Sequence, residues 1–170
     1  MDTINWTSFT KRIFIKASIE QLFWCWTTED GITSWFLKSA EFLREDLKLP
    51  PATTIVKGDR YIWKWFNWDG KETGNILAIE NNKTIHFSFA GKTEVKVTLE
   101  QHDLAVLVTL TQFNIAKDEK SKHDIYYGCS NGWTFWLTNL KAYLEHNILL
   151  NETEVDVSPF QLAGYEFVNM

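Results

Sequence analysis

From about Lys120 to Ile148 the chain carries an amphipathic pattern whose apolar side is too wide and too aromatic to be left in water. At 3.6 residues per turn, Tyr126, Cys129, Trp133, Trp136, Leu137, Leu140, Tyr143 and Leu144 share one side. Thr134, Thr138, Asn139, Lys141, Glu145 and His146 share the other. Unbroken, such a helix spans on the order of 40 Å at about 1.5 Å per residue. Most of what precedes it alternates with period two. The spacing therefore predicts a long helix lying in the concave side of a curved sheet.

Taken in order, Trp6 to Lys16 suits a first strand, with Arg12-Ile13-Phe14-Ile15 alternating. Ser18 stands three residues before Gln21, the spacing of a capping box, and opens a short helix from about Ile19 to Thr27. Thr28-Glu29-Asp30 places a cap and two acids at the start of a second short helix, which ends near Phe36. Ala40 to Arg44 reads as a strand, and Asp46 to Ala52, with Pro50-Pro51, as a loop. Strands follow at Asp59–Phe66, Thr73–Glu80, Thr84–Ala90, Glu94–Gln101 and Leu104–Phe113. They are separated by the turns Asn67-Trp68-Asp69-Gly70, Asn81-Asn82, Gly91-Lys92 and His102-Asp103. Each strand has one apolar and one polar face, which describes an antiparallel sheet covered on one side, and the long helix is its natural cover.

A chain of 170 residues fits one domain, expected over 1–150. The tail, 151–170, begins acidic and then carries Phe160, Leu162, Tyr165, Phe167 and Val168, so it is expected to pack on the domain or on a second copy. A net charge of −5, with no run of basic residues between aromatics, argues against a nucleic-acid surface. Cys25 and Cys129 lack CxxC spacing and read as small buried hydrophobes. The start, Met1 to Asn5, has no basic region leading into an apolar run, and no stretch approaches the ~18 to 20 apolar residues of a membrane span. A soluble, cytoplasmic protein is the expectation.

Three stretches carry a likeness to a known family: Ala17-Ser18-Ile19-Glu20-Gln21-Leu22-Phe23, running to Trp35-Phe36; Gly58-Asp59-Arg60-Tyr61-Ile62-Trp63; and Gly132-Trp133-Thr134-Phe135-Trp136-Leu137, continuing to Tyr143-Leu144-Glu145. Their order and separation, over residues 9 to 147, resemble the START-like or SRPBCC superfamily, also called helix-grip or birch-pollen-allergen-like. Within it they resemble the AHSA group, named after the activator of the 90-kilodalton heat-shock chaperone's ATPase. The resemblance implies an α+β helix-grip fold: a curved antiparallel sheet of about six to seven strands around a long C-terminal helix, with two short helices after the first strand. It also implies a cavity between helix and sheet, where relatives hold lipids, hormones or polyketides. Other relatives are cyclases or co-chaperones, and likeness of fold does not choose among these roles.

The residues themselves offer little committed chemistry. His86, His102, His123 and His146 form no HxH or HxxxH pair with a carboxylate, so no metal site and no cofactor is expected. No nucleophile motif such as GxSxG is present. Asp59-Arg60 reads either as a charge near a cavity mouth or, preferably, as an ordinary surface pair. Gly128 and Gly132 admit two readings, close packing against a neighbouring element, which is preferred, or a helix loosened at a cavity entrance.

The candidate site is aromatic. Trp35, Trp63, Trp65, Phe87, Phe89, Trp133 and Trp136, with Leu137 and Leu140, should converge where the sheet curls around the helix. Either they wall a cavity for a largely apolar ligand, or they fill the interior themselves. The leading expectation is a non-enzymatic, ligand-binding domain. The alternatives are an interaction module of the chaperone-regulator kind and a cyclase- or hydratase-like enzyme. Phe135 and Tyr127 lie off the apolar stripe, and with the tail they suggest a homodimer through the helix's outer side or the tail.

Overall fold

The structure, a computed structural model, describes residues 4–170. The reading made on the first residues of the chain therefore falls, at 1–3, outside the described residues. β1 (Phe9–Ile15) leads into α1 (Ile19–Thr27) and α2 (Glu29–Thr33). Ser18 and Gln21 form the expected capping box, and Thr28 Oγ1 caps α2 by accepting the Gly31 N–H. The sheet continues through β2 (Ser39–Arg44), β3 (Leu47–Lys48), β4 (Arg60–Lys64), β5 (Glu72–Glu80), β6 (Thr84–Phe89), β7 (Thr93–His102) and β8 (Ala105–Phe113). All eight strands pair antiparallel in the order β1-β8-β7-β6-β5-β4-β2-β3.

The sheet has one more strand than the six to seven expected. The addition, β3, folds back on β2 through Glu45 and Asp46, both at positive φ (50° and 66°). A two-residue turn of this hand favours Asn-Gly or Asp-Gly, so Glu-Asp gave no turn signal.

The inward positions of the strands, among them Ala40, Phe42, Tyr61, Trp63, Ile85, Phe87, Val95, Val97, Leu99, Val106, Val108 and Leu110, form one core with Trp133, Leu137 and Leu140 of the C-terminal helix. This is the α+β helix-grip arrangement. Close approach is built in at Gly74, which lies opposite Tyr61: a Cβ there would stand 2.6 Å from the tyrosine ring. The Tyr61 hydroxyl thereby donates to Ser88 O across β5 (2.7 Å).

The long helix departs from the expected unbroken pattern in two ways. It comprises α3 (Glu119–Ser121), a π-helical stretch over Lys122–Tyr127, and α4 (Gly128–His146), and it ends on Asn147 in the left-handed conformation. In the π-helical stretch the Gly128 N–H reaches His123 O, five residues back. The wider turn resets the phase of the helix, so Tyr126 packs against Trp6 and Phe9 while Cys129 faces the sheet end of a pocket. Second, Asn139, assigned above to the polar side, is fully buried. The helix is covered there by the α2–β2 connection and by the chain after α4. Asn139 Nδ2 donates to Trp35 O (2.6 Å), and its Oδ1 accepts the Leu150 N–H (2.6 Å).

Beyond α4, Val157 is buried and its N–H donates to Asn67 Oδ1, while Asn67 Nδ2 donates to Glu152 O. A short α5 (Ala163–Glu166) follows, with Ala163 buried and Phe160, Leu162, Tyr165 and Val168 exposed. Among the described residues no helix is long and apolar enough to cross a membrane.

Candidate functional site

Helix and sheet do not meet along their whole length. A pocket of about 290 Å³ lies beside the start of α4. The segment after β4 supplies Trp65, Phe66 and Trp68, and β5 supplies Glu72. The β6–β7 turn contributes Phe89 and Ala90, and the α2–β2 connection contributes Phe36. Gly128, Cys129, Gly132, Trp133 and Trp136 form the helical side, and Asp124 and Met170 complete the lining.

Of the nine candidate residues, Trp65, Phe89, Trp133 and Trp136 line this pocket. Trp35, Trp63, Phe87, Leu137 and Leu140 do not; they are buried behind it, because large rings fill one another's space. Trp63 stacks on Tyr61 at 4.0 Å and meets Phe87 edge-on at 5.3 Å. Trp35 stacks on Phe36 and donates its indole N–H to Cys25 O (3.0 Å), which turns it away from the opening. The aromatic set thus divides between the wall of a pocket and a filled core.

The two helix glycines sit against space. A Cβ on Gly132 would meet nothing within 4 Å, and one on Gly128 only His123 O at 3.9 Å. The close-packing reading preferred from sequence is therefore corrected: these glycines border the pocket and let it reach the helix backbone. Phe36, which sequence reasoning passed over for its neighbour Trp35, is the hub of the wall. Its ring lies 5.4 Å from Trp65, 5.4 Å from Trp133 and 5.1 Å from Trp136.

The polar groups are few. Trp133 is held by its indole N–H, which donates to Gln112 Oε1 (3.0 Å), while Gln112 Nε2 donates to Thr93 Oγ1 (2.9 Å). Gln112 is fully buried, and this pair fixes the ring against the sheet. Glu72 stands opposite Trp63 in the β4–β5 register, and its Oε1 accepts the Ala90 N–H (2.9 Å). Burial raises its pKa above the ordinary carboxyl value, and that backbone bond opposes the rise only in part.

Burial also pushes the Cys129 thiol up to about 11 and Cys25 up to about 12. Neither is a thiolate at neutral pH, so neither is an activated nucleophile. Asp124 is paired with Lys120 (2.5 Å) and His123 (2.8 Å). The remaining expected charge site resolves differently. Asp59 is buried and takes a two-point contact from Arg44, Nε and Nη2 each at 2.8 Å, while Arg60 pairs with Asp46. Among the described residues no three His, Cys, Asp or Glu side chains gather as a metal site.

Residues 16–145 match the family model described as Activator of Hsp90 ATPase homolog 1-like protein. The chain belongs to that family. Residues 146–170 lie outside the match. Among solved structures, the Aha1 dimer from Colwellia psychrerythraea is similar at 25% identity and a TM-score of 0.65, covering 82% of this chain and 96% of its own. A protein from Staphylococcus saprophyticus is similar at 20% identity and a TM-score of 0.66, covering 84% and 94%. An AHSA1-like protein from Aeromonas hydrophila is similar at 19% identity and a TM-score of 0.59, covering 82% and 93%. No curated protein matches the chain.

Proposed function

We propose that this member of the family is a non-enzymatic domain that binds a small, largely apolar ligand in the pocket beside the start of α4. The observation that carries the reading is the pocket of about 290 Å³ walled by Phe36, Trp65, Phe89, Trp133 and Trp136, with Gly132 on its lining. A well-filled core leaves few voids larger than a water molecule, whereas this one is close to the lower limit of about 300 Å³ for ligand pockets. Neither cysteine is activated and no histidine lines the pocket, so the side chains suit holding a molecule better than transforming it.

The test is a calorimetric titration with a neutral two-ring probe, naphthalene-2-methanol. Saturable one-to-one binding is expected, and Gly132→Leu, whose side chain would occupy the pocket, should weaken it at least tenfold while leaving the fold intact. No heat of binding, or equal binding by the variant, would refute the reading.

A second reading, self-association, rests on a different observation. Phe160, Leu162, Tyr165 and Val168 are exposed on the tail, Tyr165 and Val168 lie beside the outer side of α4, where Tyr127 is also exposed, and the Colwellia relative is a dimer. It predicts a dimer in sedimentation equilibrium that Leu162→Glu and Val168→Glu shift to monomer. A monomer at every concentration measured would remove it, and would leave the family's chaperone-regulator theme as the alternative use of that surface.

A further inference from the structure

The pocket is apolar on every side but one. Its lining contains no Lys, Arg or His side chain, and two of its side chains, Glu72 and Asp124, carry carboxyl groups. These two are not equivalent. Both oxygens of Asp124 are engaged, Oδ2 by Lys120 Nζ and Oδ1 by His123 Nδ1, so its charge is answered within its own helix. Glu72 has no such partner. Its Oε1 holds the Ala90 N–H, and its Oε2 takes no hydrogen bond from the described residues. The other titratable groups around it supply no positive charge. The Cys129 thiol lies across the pocket, and the Tyr61 hydroxyl is committed to Ser88 O.

A carboxylate in an apolar recess costs free energy unless a cation or donors meet it. Glu72 also cannot rotate away at will. Ala90, whose N–H it accepts, sits at a φ of 51°, a conformation alanine seldom adopts, and the bond helps to hold that turn. The half-buried carboxyl group is thus held at the pocket wall, with one acceptor oxygen left without a donor among the described residues.

We infer that Glu72 is the group that orients the ligand, and that the ligand class is a small apolar molecule carrying a protonated amine. This deepens the ligand-binding reading and rests on it. The apolar body would lie among Phe36, Trp65, Phe89 and Trp133, and the ammonium group would meet Glu72 Oε2 in a charge-assisted hydrogen bond. The aromatic faces around it favour a cation further. Room for about ten water-sized groups limits the body to one or two rings or a short hydrocarbon chain. Fatty acids and other anionic lipids are disfavoured, because they would add a second negative charge beside Glu72 with no basic residue to receive it.

The experiment compares three probes of one shape by calorimetry at neutral pH: naphthalene-2-methylamine, naphthalene-2-methanol and 2-naphthoate. The amine should bind about tenfold more tightly than the alcohol, with the carboxylate weakest. Glu72→Gln keeps an oxygen for the Ala90 N–H and removes the charge. It should bring the amine level with the alcohol.

Gly128→Lys keeps Glu72 and places an ammonium group at the edge of the pocket, so it should reverse the order in favour of the carboxylate. It serves as the second arm if the glutamine variant does not fold. An alcohol that binds as tightly as the amine to the unaltered protein would overturn this inference and leave the ligand-binding reading standing. So would an amine preference that survives the loss of Glu72. Binding of none of the three would overturn both.

Discussion

At the scale of single residues, the buried polar groups carry the sharpest consequences. Asp59 is 1% exposed, and its pKa is set by opposing causes. Burial raises it, but the Arg44 hydrogen bonds and the Val56 N–H lower it further, and the net result is below the ordinary 3.8. A carboxyl group lowered on folding contributes stability that is present above its unfolded pKa and lost as pH falls through the folded one. Arg44→Ala removes the partner and leaves burial to dominate. The variant should lose about 1–3 kcal/mol at pH 7 in urea unfolding. That deficit should shrink as pH falls toward 4, where the variant's Asp59, raised by burial with no Arg44 to oppose it, takes up a proton. A deficit constant across that range would mean the pair contributes packing alone.

Sequence alone could not identify this pair. Arg60 is the neighbour of Asp59, and Arg44 is brought to it only by the β2–β4 register, in which Leu43 lies opposite Arg60. Asn139 was hidden for a related reason. One helix supplies the period that marks its apolar stripe, but the connection and tail that bury its flank come from elsewhere in the chain.

At the scale of elements, period-two alternation and capping chemistry were enough for the first helices and for every strand except β3. Glu72 was within reach of the same reasoning. Ile76 is buried on β5, and two steps of two residues place Gly74 and Glu72 on that inward face, but a strand begun at Thr73 leaves Glu72 outside the pattern. The π-helical stretch was not legible, since its extra residue per turn has no composition signal and follows from how the helix enters the fold.

The glycines of α4 provide the prediction at this scale. Glycine in a helix interior costs about 1 kcal/mol relative to alanine when nothing else intervenes. With no atom within 4 Å of a Cβ at Gly132, Gly132→Ala should raise stability by about that amount in thermal or urea unfolding. A loss of stability would show the helix to be close-packed there, and the pocket to be smaller than described.

At the scale of the whole molecule, the sheet grips the C-terminal helix along its tryptophan side, with Trp133, Leu137 and Leu140 buried, and leaves an opening at the helix's beginning. The fold was readable because the order of elements follows from local patterns. The pocket was not, because its volume depends on which rings touch, and the nine candidates divide between core and wall only once the sheet has curved. The tail enters here as well: Met170 lies on the pocket lining, far in sequence from the strands it faces.

The most direct test of a ligand site beneath α4 is chemical-shift mapping of the ¹⁵N-labelled protein titrated with naphthalene-2-methanol. Saturable shifts are expected of the Gly128 and Gly132 amides and of the Trp65, Trp133 and Trp136 indole N–H signals, with the Trp26 and Trp35 indoles of the deep core nearly still. Shifts confined to the exposed tail around Leu162 and Tyr165, or none at all, would contradict it.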